Sequence, residues 1–152
     1  MSVYDSGNKW GERSMRVLGE LDPNLRVVMG DALRMCEVDF GLVDGARTIE
    51  EQRTFYKEGK SKVNPDAYAT PSDLYKAAKH IVGPGMPKSR AVDIVIGVPG
   101  KSYDMGYLCY VAGIVMACAR QRGIVIRWGG NFDRDGEILE QPFVDSVHFE
   151  ID

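Results

Sequence analysis

The chain contains two histidines, His80 and His148. His80 precedes Gly83-Pro84-Gly85-Met86-Pro87, which cannot be regular structure. His148 opens the segment His148-Phe149-Glu150-Ile151, and Asp145 stands three residues before it. Strand alternation puts His148 and Glu150 on one face, with Phe149 and Ile151 on the other. Asp93 lies within Ala91-Val92-Asp93-Ile94-Val95. A carboxylate with such neighbours is costly unless it is paired or bound to a metal. Two imidazoles and one carboxylate are a standard ligand set for catalytic zinc, with a fourth position left for water. Bound zinc lowers the pKa of that water toward about 7 and polarises a carbonyl. A general base is then needed, and Asp145 or Glu150 can serve. The same residues also allow a plainer reading, since a lone strand histidine is more often a satisfied structural side chain.

These residues need elements to hold them. Residues 1–22 read as irregular, with a turn at Leu21-Asp22-Pro23. Leu25, Val28, Met29, Ala32, Leu33 and Cys36 recur at helical spacing, which predicts a helix over 24–38. Phe40 to Val43 reads as a short strand. Thr48 with Glu51 forms a capping box, so a helix runs from there to Lys57. Residues 60–70 read as loop. Thr70-Pro71-Ser72-Asp73 starts a helix that reaches about Lys79. Arg90 to Ile96 alternates and is β-branched, which predicts a strand. Asp104 to Arg122 is a long apolar helix stopped by Gly123. Ile124–Trp128 and Val147–Ile151 read as strands, separated by a polar loop from Gly129 to Pro142. The mixture, with hairpin-like connections, predicts an α+β fold in one domain over residues 1–152.

Bulk properties narrow the classes. The chain has 152 residues, 44% apolar and 27% charged, with a net charge of −3. That suits a globular domain with a real core. No basic stripe is visible, so nucleic acid is not the expected partner. A mild cluster at Lys57, Lys60 and Lys62 reads as a solvated face. Cys36, Cys109 and Cys118 are odd in number and lie in apolar stretches, so they read as buried small hydrophobes. No secretory signal and no spanning helix are read from the sequence, so no stable membrane association is expected. Asn131-x-Asp133-x-Asp135-Gly136 has the first half of a calcium loop, but Pro142 stands where the bidentate glutamate belongs. A hydrophilic turn is the plainer reading, and a regulatory Ca²⁺ is the alternative.

Several segments resemble the M15 peptidase family of cell-wall and phage-lysis enzymes. His80-Ile81-Val82-Gly83 and Arg90-Ala91-Val92-Asp93 match the two halves of its first motif, HxxG and xAxD. Asp145-Ser146-Val147-His148-Phe149-Glu150 resembles the distal motif of the phage endolysin branch. Gly45-Ala46-Arg47-Thr48 with Glu51 and Gln52, Trp128-Gly129-Gly130-Asn131-Phe132-Asp133, and Leu21-Asp22-Pro23-Asn24-Leu25 resemble further segments of that branch, in the same order. Three departures stand out: Pro84 to Ser89 interrupt the first motif, the family's serine two before the histidine is Ala78 here, and the stretch from Gly59 to His80 is longer than usual for the endolysin branch. The insert is rich in Gly and Pro, and the expectation is that it bulges outward while its ends stay in place.

The resemblance implies a small antiparallel sheet with helices packed around it, a zinc peptidase of the D-Ala-D-Ala carboxypeptidase/Hedgehog-like type. It implies Zn²⁺ on His80, Asp93 and His148, Asp145 as general base, and Arg47 at the substrate carbonyl or oxyanion. A surface salt bridge is the plain alternative for Arg47. Glu150 is a candidate for orienting a ligand imidazole, and Gln52 for packing near the Arg47 turn. Trp128 either lines the cleft or ends a strand as a core aromatic. The implied activity is an endolysin that cuts the L-alanyl-D-glutamate bond of the peptidoglycan stem peptide, expected as a monomer. It would wait in the host cytoplasm and then act in the periplasm or cell wall. A D-alanyl-D-alanine carboxypeptidase or dipeptidase, and a non-catalytic metal-stabilised wall-binding module, are the competing readings.

Overall fold

A computed structural model describes residues 3–141 and 144–152. Pro142 therefore lies outside the described residues. Among the described residues, four strands form one antiparallel sheet: β1 (Phe40–Asp44), β2 (Ala91–Ile96), β3 (Arg127–Trp128) and β4 (His148–Glu150), in the order β1-β2-β4-β3. The α+β expectation holds. Of the expected hairpin-like connections, only β3 to β4 joins sheet neighbours directly; β1 and β2 are linked through helices.

Alternation along these strands separates two faces. Phe40, Leu42, Val92, Ile94, Ile96, Trp128, Phe149 and Ile151 point into one core. That core is closed by α2 (Pro23–Met35) and α5 (Met105–Gln121), which pack on each other. Leu25, Val28, Met29 and Ala32 recur on the inner face of α2, as their spacing predicts. Phe149 is fully buried, and such a side chain contributes about 1.5–3 kcal/mol by leaving water. Its burial anchors the short strand that carries His148 on the other face. Cys36 and Cys118 are buried and Cys109 is half-buried, all as free thiols.

Residues 1–22 were expected to be irregular, but Glu12–Glu20 form a helix, α1. Its N-cap Gly11 makes no side-chain capping bond, and its only buried residues are Ser14 and Val17. The signal is tertiary. Val17 joins the core, and the Ser14 hydroxyl accepts a hydrogen bond from the Leu42 N–H at 3.0 Å, which ties α1 to β1. The other boundaries shift modestly. The strand expected over 124–128 is only Arg127–Trp128, because Ile124 N–H is spent on the Ala119 carbonyl at the end of α5. The expected 60–70 loop contains a 3-10 turn, Pro65–Ala67, capped by Asn64.

α3 (Ile49–Lys57) and α4 (Pro71–Ala77) lie in the connection from β1 to β2. Thr48 forms the predicted capping box with Glu51. A small cluster of Leu74, Tyr75 and Ile81, with Ile49, Val63, Ala78 and Met86 against it, holds α3, α4 and the segment after α4 together. No helix among the described residues is long and apolar enough to cross a membrane.

Candidate metal centre

Asp93 and His148 are direct cross-strand partners in the β2–β4 ladder. Their side chains therefore share one face, and His148 Nδ1 lies 3.1 Å from Asp93 Oδ1. His80 arrives from outside the sheet. The backbone around it is clamped to the Arg47 segment, with Arg47 N–H donating to the His80 carbonyl at 2.8 Å and Val82 N–H to the Arg47 carbonyl at 2.9 Å. This puts His80 Nε2 at 3.3 Å from both His148 Nδ1 and Asp93 Oδ1.

The Pro84–Ser89 insert does bulge outward. Arg90 N–H donates to the Lys79 carbonyl at 2.9 Å, so the chain leaves and returns at one point. Within the bulge, Gly83 and Met86 exchange two backbone hydrogen bonds around Pro84-Gly85, and Gly85 takes φ +80°, as such a turn requires. Ser89 is bonded through its backbone to Glu20 and Asp22, which fixes the exit of the bulge against the end of α1. The interrupted motif thus keeps its spatial form.

The far nitrogen of each imidazole is fixed. His80 Nδ1 lies 2.8 Å from the Gly45 carbonyl. A carbonyl only accepts, so Nδ1 carries the proton and Nε2 presents its lone pair. His148 Nε2 donates to Glu150 Oε1 at 2.8 Å, so Nδ1 faces the triad. Three acceptor atoms thus face one another at 3.1–3.3 Å. One shared proton cannot satisfy all three pairs, whereas a divalent cation can. A tetrahedral zinc with bonds of about 2.0–2.1 Å separates its ligand atoms by about 3.3–3.4 Å, which the observed spacings match closely. The three residues therefore fit the ion.

The electrostatics agree. Burial works to raise the Asp93 carboxyl, but the His148 and His80 imidazoles beside it hold it well below the usual carboxylate range. Burial works against a charged His148, yet Asp93 and Glu150 push it up to about 9 in the metal-free protein. That proton occupies the place a metal would take. Glu150 is lowered to about 2; burial opposes this, and His148 and Arg127 outweigh it. Both of its oxygens are taken, Oε1 by His148 and Oε2 by Arg127 Nη2 at 2.6 Å. Of the two bases considered from the sequence, Glu150 thus has a partner on each oxygen. Asp145 differs. Its carboxyl is raised by burial and by the charge of Asp93, with His148, His80 and the Val147 N–H acting in the other direction.

Asp145 is placed by glycine. Gly129 N–H donates to the His148 carbonyl at 2.8 Å, and Asp145 N–H donates to the Gly129 carbonyl at 2.9 Å. A Cβ on Gly129 would stand 1.9 Å from the Asp145 carbonyl oxygen, a contact that only backbone movement relieves. Gly129→Ala is therefore expected to displace Asp145. Overpacking of this kind costs about 1–3 kcal/mol, or on the order of 5 °C in Tm for a chain of this size. Thermal unfolding and a turnover assay check this. A variant that turns over at the wild-type rate would show that the turn does not set Asp145.

Other predicted residues fall as follows. Arg47 pairs with Asp44, donates to Gln52 Oε1 at 2.9 Å and lies over the Phe55 ring at 4.4 Å. A β-bulge between Leu42 and Asp44 brings Asp44 opposite Asp93, so this ion pair stands beside the triad. Gln52 is fully buried and spans Arg47, Ser61 and Val63, the packing role expected of it. Trp128 is 7% exposed, lies on the core face and donates its indole N–H to the Ser146 carbonyl. That is the core reading of the two. Asp133 and Asp135 converge with Glu140, all exposed. Sequence reasoning missed Arg127 and Phe132. The Phe132 ring lies 5.7 Å from the His148 ring and 5.4 Å from the Arg127 guanidinium. The only sequence signal for Arg127 was its place one residue before Trp128 in a strand.

An antiparallel sheet that presents two oriented imidazoles and a carboxylate, with a raised aspartate nearby, defines a metal-hydrolase class of site. The sequence profile of the phage L-alanyl-D-glutamate peptidase family matches residues 6–151, and the chain belongs to that family. It is a peptidase, so the reading as a binding module without turnover falls away. Among solved structures, the L-Ala D-Glu endopeptidase ChiX of Serratia marcescens is similar over 99% of this chain and 96% of its own, at 26% identity with a TM-score of 0.70. No curated protein matches the chain.

Proposed function

We propose that this peptidase is a zinc-dependent endolysin that hydrolyses the L-alanyl-D-glutamate bond of the peptidoglycan stem peptide. The observation that carries the reading is the triad itself, three acceptors at 3.1–3.3 Å with both imidazoles held at their far nitrogens. His80 Nε2, Asp93 and His148 Nδ1 would hold the zinc. When bound, zinc supplies Lewis acidity, which polarises a carbonyl and makes water a stronger acid. Asp145 takes a proton from the attacking water. Oxygen bonds to the L-alanyl carbonyl carbon, the C–N bond breaks, and Asp145 passes the proton to the departing D-glutamate nitrogen. Its raised pKa suits both transfers. Arg47, held in place by Asp44 and Gln52, adds positive charge toward the developing oxyanion. The enzyme acts as a monomer on the wall after release from the host cytoplasm.

The test is digestion of purified peptidoglycan with and without a chelator, followed by fragment identification. Fragments with a new amino-terminal D-glutamate are expected, lost on chelation and regained with zinc. Release of D-alanine or of a D-Ala-D-Ala dipeptide would instead indicate the competing D,D-specificity.

A further inference from the structure

Arg127 and Glu150 are direct cross-strand partners in the β3–β4 ladder, so both side chains lie on the face that carries Asp93 and His148. The contacts form one chain. Arg127 Nη2 donates to Glu150 Oε2 at 2.6 Å, and Glu150 Oε1 accepts from His148 Nε2 at 2.8 Å. Each end of the carboxylate thus has a single partner, and together they fix its plane. Glu150 is only 7% exposed, so water cannot readily replace a lost partner. The Phe132 ring stands beside both ends of the chain, near the guanidinium and near the His148 ring.

We infer that Arg127 is a positioning residue for the metal: through Glu150 it holds the His148 ring so that Nδ1 faces His80 and Asp93. The inference rests on the zinc reading above and adds to it a residue that touches neither metal nor substrate. Histidine ligands depend on such outer partners, whose loss typically weakens metal binding or activity by about 10–100-fold. Arginine suits the task because its planar fork fixes a direction, whereas a lysine supplies a point charge. Lys79 provides an internal control. It faces the same acidic edge, but its contact is with Asp152 at 3.8 Å, not with Glu150. If net positive charge near Glu150 were sufficient, Lys79 would matter as much as Arg127.

The test measures zinc affinity of the purified full chain by competition with a chromogenic chelator, for wild type and for Arg127→Gln, Arg127→Lys and Lys79→Met. Arg127→Gln is expected to lose about 10–100-fold in zinc affinity, Arg127→Lys to recover part of it, and Lys79→Met to match wild type. Cobalt-substituted Arg127→Gln should also show altered visible d–d bands, which report ligand geometry directly. Turnover of Arg127→Gln should return at saturating zinc. Wild-type affinity and an unchanged cobalt spectrum in both Arg127 variants would overturn the inference, as would an equal loss in Lys79→Met. If Arg127→Gln does not fold, Arg127→Lys carries the same comparison. A wild-type protein that binds no zinc would refute the underlying metal reading as well.

Discussion

Replacing Asp145 by asparagine is expected to lower kcat by about 10²–10⁴-fold, the usual contribution of a positioned general base. Zinc should stay bound at one equivalent. The substitution is nearly isosteric, and the contacts that place Asp145 in its turn are made by its backbone to Gly129 and His148. The fold around the triad should therefore persist while the proton acceptor is lost. The carboxyl is raised by burial and by Asp93. The acid limb of the wild-type kcat/KM profile should report this carboxyl, and the Asn variant should lack that limb. Steady-state kinetics across pH, with metal analysis of the same samples, decide it. A variant that retains wild-type turnover would move the base elsewhere, and Glu150 is a poor substitute because both its oxygens are occupied.

Removal of the metal should have the second large effect, on stability as well as rate. At a free zinc concentration of about 1,000 Kd, binding adds about 4 kcal/mol to the folded state. For a chain of this size that corresponds to a rise in Tm of about 8–16 °C. His148→Ala should abolish both the rise and the activity. The pH dependence follows from the proton that zinc displaces. In the metal-free protein the His148 pKa is raised from 6.5 to about 9. Its contribution to stability is therefore full below pH 6.5 and is lost as pH rises through about 9. Zinc affinity runs the opposite way, gaining about tenfold per pH unit while that proton must be released. Glu150 is lowered to about 2, so its contribution is present above its ordinary value of 4.5 and fades as pH falls toward 2. Calorimetric scans of metal-free and zinc-loaded protein at several pH values test the pattern. Full lytic activity in His148→Ala would refute the metal mechanism.

Much of this protein was legible without its fold. Apolar periodicity marked α2, a long apolar run stopped by Gly123 marked α5, the Thr48–Glu51 capping box marked α3, and β-branched alternation marked β2. These are local properties, set by neighbours three or four residues away or by alternation along one strand. The chemistry-bearing residues were also visible, because the chain has only two histidines and a carboxylate stranded among apolar side chains. What remained hidden depends on contacts between distant segments. Helix α1 has few buried residues and forms through Val17 and Ser14 against β1. The outward path of the insert rests on the hydrogen bond between Lys79 and Arg90 and on the attachment of Ser89 to Glu20 and Asp22. Trp128 and Arg127 are adjacent in sequence, and only the β3–β4 register sends one to the core and the other to Glu150. Residue types thus determined which groups could do metal chemistry. Sheet register, which no local pattern specifies, decided which of them face one another across 3 Å.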